Sequence, residues 1–346
     1  MKQSEQLSTT SMTADTAENG RADSEDTTGA DVFAEWLRRQ GLRVIRTPSS
    51  YWYESVRHVF QAFPYHALIQ PDDKELSTLH GMGAWALRYS TPVDKPRGAL
   101  SYHVILAPRE YNLEALPSNA RGHVRKGLAI SVVEPISLRS LAQEGWELRQ
   151  DTLSRQGREQ AESKDWWQRL CLAAEGLPGF EAWGALVDGK LAAALLAFEY
   201  ADHYSILYQQ SRTEFMRFGV NNALTFVVTS DVMDRPSPRT VFYGVQSLDA
   251  PASVDEYKFQ MRYVAKPVRQ RVVFHPWARV FLNVASHLAL RLGSRAFPND
   301  FFLSKTEGMV RFYLQGNLPP SRQSIPAPLE PYSPAESQPH SFLHRK

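Results

Sequence analysis

The chain has 346 residues, enough for two domains or one large domain with extensions, so a peptide too small to bury a core is excluded. Apolar residues make up 43% and charged residues 22%, a globular mix that excludes a wholly disordered or fibrous chain. A formal charge of +2 is too small to make nucleic acid the default partner of the whole molecule.

Residues 1–30 are rich in Ser, Thr, Asp, Glu and Gly and are expected to form a disordered acidic tail. They hold two basic and six acidic groups, which leaves residues 31–346 with 37 basic against 31 acidic, a body able to receive an anionic ligand. The first part of the body, 31–118, opens with a helix from Val32 to Gln40 whose apolar face is Val32, Phe33, Trp36 and Leu37. Asp31 is its expected N-cap and Gly41 its stop. An aromatic segment (Tyr51, Trp52, Tyr53), a helix from Glu54 to Ala62, and two extended runs, Gly83–Tyr89 and Ala99–Leu106, follow.

The second part, 119–275, shows helical spacing over Ser137–Glu144, with Gly145 as its stop, and over Ala161–Ala174. Strands Glu181–Val187 and Leu191–Tyr200 flank Asp188-Gly189, a strong hairpin signal, and Tyr204–Gln210 adds a third strand to the meander. Gly219 leads into a helix over Val220–Met233. A short strand Thr240–Val245, a helix Ser253–Tyr263 and a strand Pro267–Phe274 complete the body. The order implies an α/β (α+β) fold with a mixed, largely antiparallel sheet flanked by helices. Residues 276–316 read as a C-terminal helical extension. Within it Val280–Leu292 is apolar enough to dock on a membrane or a partner, with packing on the body's own core the favoured reading. Residues 317–346 hold seven prolines among Ser and Gln, the composition of an extended disordered tail.

The first 31 residues contain no apolar core of the kind a secretory signal needs, and no run reaches the roughly 18 uninterrupted apolar residues of a membrane span. The single cysteine, Cys171, lies among Trp167, Leu170 and Leu172 and reads as a buried small hydrophobe. A cytoplasmic setting is expected. Gly81-Met82-Gly83 lacks the third glycine of a dinucleotide fingerprint, and no phosphate loop, Gly-x-Ser-x-Gly or HExxH is present. His123 has no second ligand at metal spacing, so no metal is expected.

Three segments carry a resemblance. Asn119–Leu128 resembles the arginine-rich helix opening of GNAT acyltransferases, and Ala182–Gln210 resembles their hairpin. Tyr243-Gly244 followed by Glu256–Met261 resembles their closing strand and Tyr-Lys segment. The order of elements is similar to the FemAB-like branch, in which a GNAT domain follows an N-terminal half, here a second, degenerate GNAT-like unit. The resemblance implies an N-acyltransferase that moves an acyl group from acyl-CoA, as co-substrate, to an amine of an amino sugar, peptide or cell-envelope precursor. Two alternatives stay open: a non-catalytic GNAT-fold scaffold, or a FemAB-like transferase whose donor is aminoacyl-tRNA. The family's donor site, Arg/Gln-x-x-Gly-x-Gly/Ala, corresponds to Met216–Ala223. This chain departs from the pattern, since Arg217 stands two residues before Gly219 and Asn221 takes the small-residue position.

Donor binding is therefore expected from Arg217, Gly219, Val220, Asn221 and Asn222, because backbone amides at a helix start attract a pyrophosphate. Gln209 and Gln210 end the third strand, where such sheets splay to admit the acyl chain. Acyl transfer needs a base for the amine and an acid for the leaving group, and Asp249, Tyr243 and Tyr257 are the candidates. Arg121 and Arg125 at i, i+4, with Lys126 and Lys258, are candidates for gripping an anionic acceptor. Each has a plainer alternative: a turn aspartate, core aromatics, or a solvated basic face.

Overall fold

In a computed structural model the described residues are 29–158, 162–248, 253–297 and 300–330. Helix α1 (residues 29–39) precedes β1 (Val44–Arg46), β2 (Tyr51–Val56), β3 (Val59–Phe63), α2 (Asp73–Gly81), β4 (Ala86–Thr91) and β5 (Ala99–Leu106). Then come α3 (Ser118–Ile130), β6 (Val132–Ile136), α4 (Leu138–Arg155), α5 (Lys164–Ala173), β7 (Phe180–Val187), β8 (Lys190–Tyr200) and β9 (His203–Ser211). The chain continues through α6 (Thr213–Met216), α7 (Val220–Asp234), β10 (Thr240–Val245), α8 (Ser253–Gln260) and β11 (Val264–Phe274). Helices α9 (Pro276–Arg279), α10 (Val284–Ala296) and α11 (Phe301–Gly316) follow.

The eleven strands of the described residues form one sheet in the order β1-β2-β3-β4-β11-β5-β10-β9-β8-β7-β6. A motif occurs twice in it. In the first half β2 and β3 form a hairpin, α2 crosses over, and β4 returns parallel to β3. In the second half β8 and β9 form a hairpin, α7 crosses over, and β10 returns parallel to β9. This repeat is the mixed, mostly antiparallel architecture expected from the sequence, with its second unit. The sheet runs through the boundary expected near residue 118: β5 pairs with both β10 and β11.

The turn at Asp188-Gly189 has both residues at positive φ, 49° and 73°, as a tight two-residue hairpin requires. Helix α2 is capped by Asp72, whose carboxylate accepts from the Glu75 amide at 2.7 Å, and α4 by Ser137, which accepts from Ser140 at 2.9 Å. Helices α3 and α7 pack on one face of the second half, with Val124, Val220 and Leu224 against Trp183, Leu195 and Tyr204. Helices α1, α4 and α5 cover the other face, where Trp36, Leu141 and Trp167 meet Phe63, Leu196 and Phe198. In the first half α2 places Leu76 and Leu79 on Trp52, Phe60 and Leu87, while α11 sets Met309 and Phe312 on Ala86 and Val272.

Three expectations are corrected. The helix expected over Glu54–Ala62 is the β2–β3 hairpin: burial alternates, with Trp52, Phe60 and Ala62 in one core and Tyr51 and Phe63 in another. Pairing with β1 and β4 fixes that period of two over the helical spacing. Gly145 does not stop α4, which runs on to Arg155. A Cβ there would lie 3.2 Å from the Trp167 ring, so this glycine lets α5 approach closely. Finally, residues 317–330 of the expected disordered tail pack on the body. Leu329 is buried, and the Gln323 side chain accepts from the Leu100 amide at 2.9 Å and donates to the Gly98 carbonyl at 3.2 Å. Those groups at the start of β5 need a partner once buried, and Gln323 supplies it. The expected tails over 1–28 and 331–346 lie outside the described residues.

Candidate functional site

Strands β9 and β10 pair only over their first residues, His203–Ser205 with Thr240–Phe242. Beyond that they part, and the register of β10 against β5 shifts between Phe242 and Gly244. The opening is spanned by side chains. The Tyr243 hydroxyl donates to Gln209 Oε1, and Gln209 Nε2 donates to Thr225 Oγ1 at 3.0 Å. Thr225 Oγ1 lies 2.7 Å from the Tyr257 hydroxyl, which donates to the Asn221 carbonyl at 2.9 Å. One chain of hydrogen bonds thus links β9, β10, α8 and the first turn of α7. Burial raises the Tyr257 phenol to about 12 and pushes Tyr243 well above its ordinary value, so both stay protonated near neutral pH.

Gly219 caps α7 in the left-handed region at φ 79°, and no side chain caps the helix. A Cβ on Gly219 would lie 2.3 Å from the His123 carbonyl oxygen, so only glycine lets the start of α7 rest on the backbone of α3. No protein acceptor among the described residues takes the amides of Val220, Asn221 and Asn222. Helix starts leave such donors free for an anion. Val220 itself is buried. The Asn221 side chain donates to Ser211 Oγ at 2.9 Å and that of Asn222 to Met261 Sδ at 3.5 Å. Arg217 is exposed, its guanidinium 4.6 Å from the Phe218 ring.

The structure thus gathers Gln209, Tyr243, Tyr257, Asn221 and Gly219. Gln210 is directed away: strand alternation turns it to the opposite face, where its buried amide has no partner among the described residues. Lys258 does not stand open to an acceptor's anion. It donates to Asp255 Oδ1 at 2.8 Å, Asp255 also accepts from the Tyr102 hydroxyl at 2.8 Å, and the i, i+3 ion pair is largely buried. Arg121, Arg125 and Lys126 lie on α3; Arg125 sits 3.9 Å from Glu114 in an exposed pair. Asp249 lies outside the described residues, directly after the buried Leu248. Cys171 is buried, which pushes its thiol up. Among the described residues no three His, Cys, Asp or Glu side chains could hold a metal ion.

A cavity of 330 Å³ lies on the face covered by α1, α5 and α11, over the place where β3 and β4 part after Gln61 and Arg88. Tyr53, Tyr65, Tyr208, Trp166, Arg88 and Glu162 give it an aromatic wall with polar groups. Arg88 Nε donates to Gln270 Oε1 at 2.8 Å, the Tyr65 hydroxyl donates to that of Tyr53 at 3.0 Å, and Arg149 pairs with Glu162 while lying 5.3 Å from the Tyr208 ring. Burial raises all three phenols, which keeps them neutral donors. Tyr208 and Gln209 are consecutive, so one residue of β9 lines the cavity while the next bridges the opening. Sequence reading missed these cavity residues and Thr225. They come from six separate segments, and no local spacing marks them.

A FemX crystal structure superposes on this chain with a TM-score of 0.51 at 11% identity, over 75% of this chain and 98% of that one. The chain has the FemX fold. The expected FemAB-like, GNAT-type architecture is thereby borne out. Further likenesses are to L-PGS from Bacillus licheniformis (TM-score 0.45, 10% identity, 68% of this chain and 81% of that one) and to a tandem GNAT protein from the clavulanic acid biosynthesis pathway (0.40, 10%, 67% and 81%). No family model and no curated protein matches the sequence.

Proposed function

We propose that this chain is a GNAT-type N-acyltransferase that transfers an acyl group from acyl-CoA to an amine of an amino sugar, peptide or cell-envelope precursor. The observation that carries the reading is the parted β9–β10 pair, with the Tyr243–Gln209–Thr225–Tyr257 chain across it and the uncapped start of α7 beside it. In this reading the free amides of α7 hold the donor's pyrophosphate and the acyl arm enters between the strands. The acceptor occupies the 330 Å³ cavity, whose phenols and charged groups suit a polar amine.

The amine attacks the thioester carbonyl, a C–N bond forms and the C–S bond breaks. Tyr257 gives its proton to the departing thiolate, and a base, for which Asp249 stays the candidate, takes the proton of the amine. Titration calorimetry with acetyl-CoA and a long-chain acyl-CoA tests the donor. Binding that Gln209→Ala weakens about tenfold, in a variant with unchanged circular dichroism, supports the reading. Absence of binding by any acyl-CoA overturns it.

Aminoacyl-tRNA is the second donor reading. One observation favours it: Arg121, Arg125 and Lys126 lie on the helix against which Gly219 rests. Binding would then fall steeply with salt concentration.

A further inference from the structure

Helix α10 carries more apolar surface than its packing on α11 covers. Toward α11 it presents His287, whose Nε2 lies 2.8 Å from Glu307 Oε1, the partly buried Leu290, and Gly293, where a Cβ would meet Leu303 at 3.2 Å. The apolar stripe Val284, Leu288 and Leu292, at i, i+4 and i+8, faces outward, with exposures of 76%, 54% and 56%. Val280 and Phe281, in the turn before it, are more than 60% exposed, and α9 adds Trp277, half exposed and ring-to-edge with the equally exposed Trp85 at 5.7 Å. No residue of α9 or α10 is buried. A contiguous apolar surface of this kind marks an interaction site.

Its charge selects the occupant. Residues 276–297 contain three arginines and no acidic residue. Arg291 and Arg295 are exposed and have no ion-pair partner among the described residues; Arg279 donates to the Phe274 carbonyl at 2.9 Å. At 13 residues α10 is about 20 Å long, too short to cross a bilayer, and no described helix is long and apolar enough to do so. An apolar stripe beside arginines that make no ion pair among the described residues, with two half-exposed tryptophans nearby, fits the plane of an anionic lipid surface, where acyl chains cover the stripe and headgroups meet the guanidinium groups.

We infer that α9 and α10 form an amphipathic anchor that docks this protein on an anionic membrane surface. The docking is independent of the donor that the β9–β10 opening takes, since the two lie on different elements. Co-sedimentation of the full chain with vesicles of equimolar phosphatidylglycerol and phosphatidylcholine, against vesicles of phosphatidylcholine alone, tests it. The full chain is expected to bind the anionic vesicles at least about tenfold more strongly. Leu288→Asp with Leu292→Asp, on the exposed stripe, is expected to lower that binding by about tenfold or more, and Arg291→Glu with Arg295→Glu to remove the preference for anionic lipid, with circular dichroism unchanged in both. Absence of binding to anionic vesicles, or binding that neither variant alters, would overturn the inference. So would a dimer in analytical ultracentrifugation that Leu288→Asp dissociates, because a second copy would then be what covers the stripe.

Discussion

At the scale of single residues, Tyr257 joins local and tertiary structure most directly. Its hydroxyl is fixed between Thr225 and the Asn221 carbonyl, and burial keeps it protonated to about pH 12. Under the proposed mechanism Tyr257→Phe lowers kcat by about a hundredfold with little change in donor KM. Because the phenol stays protonated, the rate of the unaltered protein is not expected to fall on the alkaline side below about pH 10 through loss of this acid; steady-state pH profiles check both points. The histidines behave differently. His66 stacks on His203 at 3.7 Å, and His103 lies on β5 within 2.8 Å of Ser90. Burial, the other imidazoles and Lys266 hold His66 well below its ordinary value, and burial with Lys266 and His203 brings His103 to about 3. Both bind protons more readily in the unfolded chain, so stability is full above pH 6.5 and is lost as pH falls towards their folded values. Each contributes a slope of up to about 1.4 kcal/mol per pH unit within that window. His66→Phe is expected to flatten the fall in unfolding free energy between pH 6.5 and 4, measured by urea titration.

At the scale of elements, two glycines set how closely helices approach. Gly219→Ala forces a side chain into φ 79° and into the His123 carbonyl, both of them backbone constraints, and is expected to cost about 3 kcal/mol in urea unfolding. Gly145→Ala meets only side chains, those of Leu141 and Trp167, and gains helix propensity, so its cost is expected to be smaller. The sequence marked both positions as punctuation. That reading is right for Gly219, the cap of α7, and wrong for Gly145, because a glycine that ends a helix and one that admits a neighbour look alike until the neighbour is in place. The second-half hairpin was legible for a local reason, since Asp188-Gly189 dictates its turn. The β2–β3 hairpin has no such dipeptide: it turns at His58, whose amide donates to Glu54 Oε1 at 2.5 Å.

At the scale of the whole molecule, β11 decides cooperativity. It leaves the second half and enters the sheet between β4 and β5, pairing with both. Neither half has a continuous sheet without the other, because β11 joins β4 to β5 and β5 joins β11 to β10, so unfolding followed by circular dichroism and by tryptophan fluorescence is expected to give one coincident transition, and residues 31–118 alone are expected not to fold. The segment after α11 secures the same junction. Arg269, 5% exposed, donates to Gln323 Oε1 at 3.0 Å and to the Gly98 carbonyl at 2.9 Å. Gln323→Ala leaves the Leu100 amide without its acceptor and removes one partner of a buried guanidinium, for an expected loss of about 2 kcal/mol in thermal or urea unfolding. Truncation after residue 316 is expected to cost more.

What this chain's order of residues determined alone is local: alternation and spacing wrote the helices and strands of the second half, and a two-residue turn and a helix-start glycine marked the β8–β9 hairpin and the head of α7. Those signals act over a few residues, where backbone preference and burial period suffice. Tertiary structure decided the rest. The bridge from Tyr243 to Tyr257, the commitment of Lys258 to Asp255, the 330 Å³ cavity and the outward stripe of α10 each depend on which distant segments become neighbours. Sheet order and helix docking settle that, because a side chain's role is set by what stands opposite it.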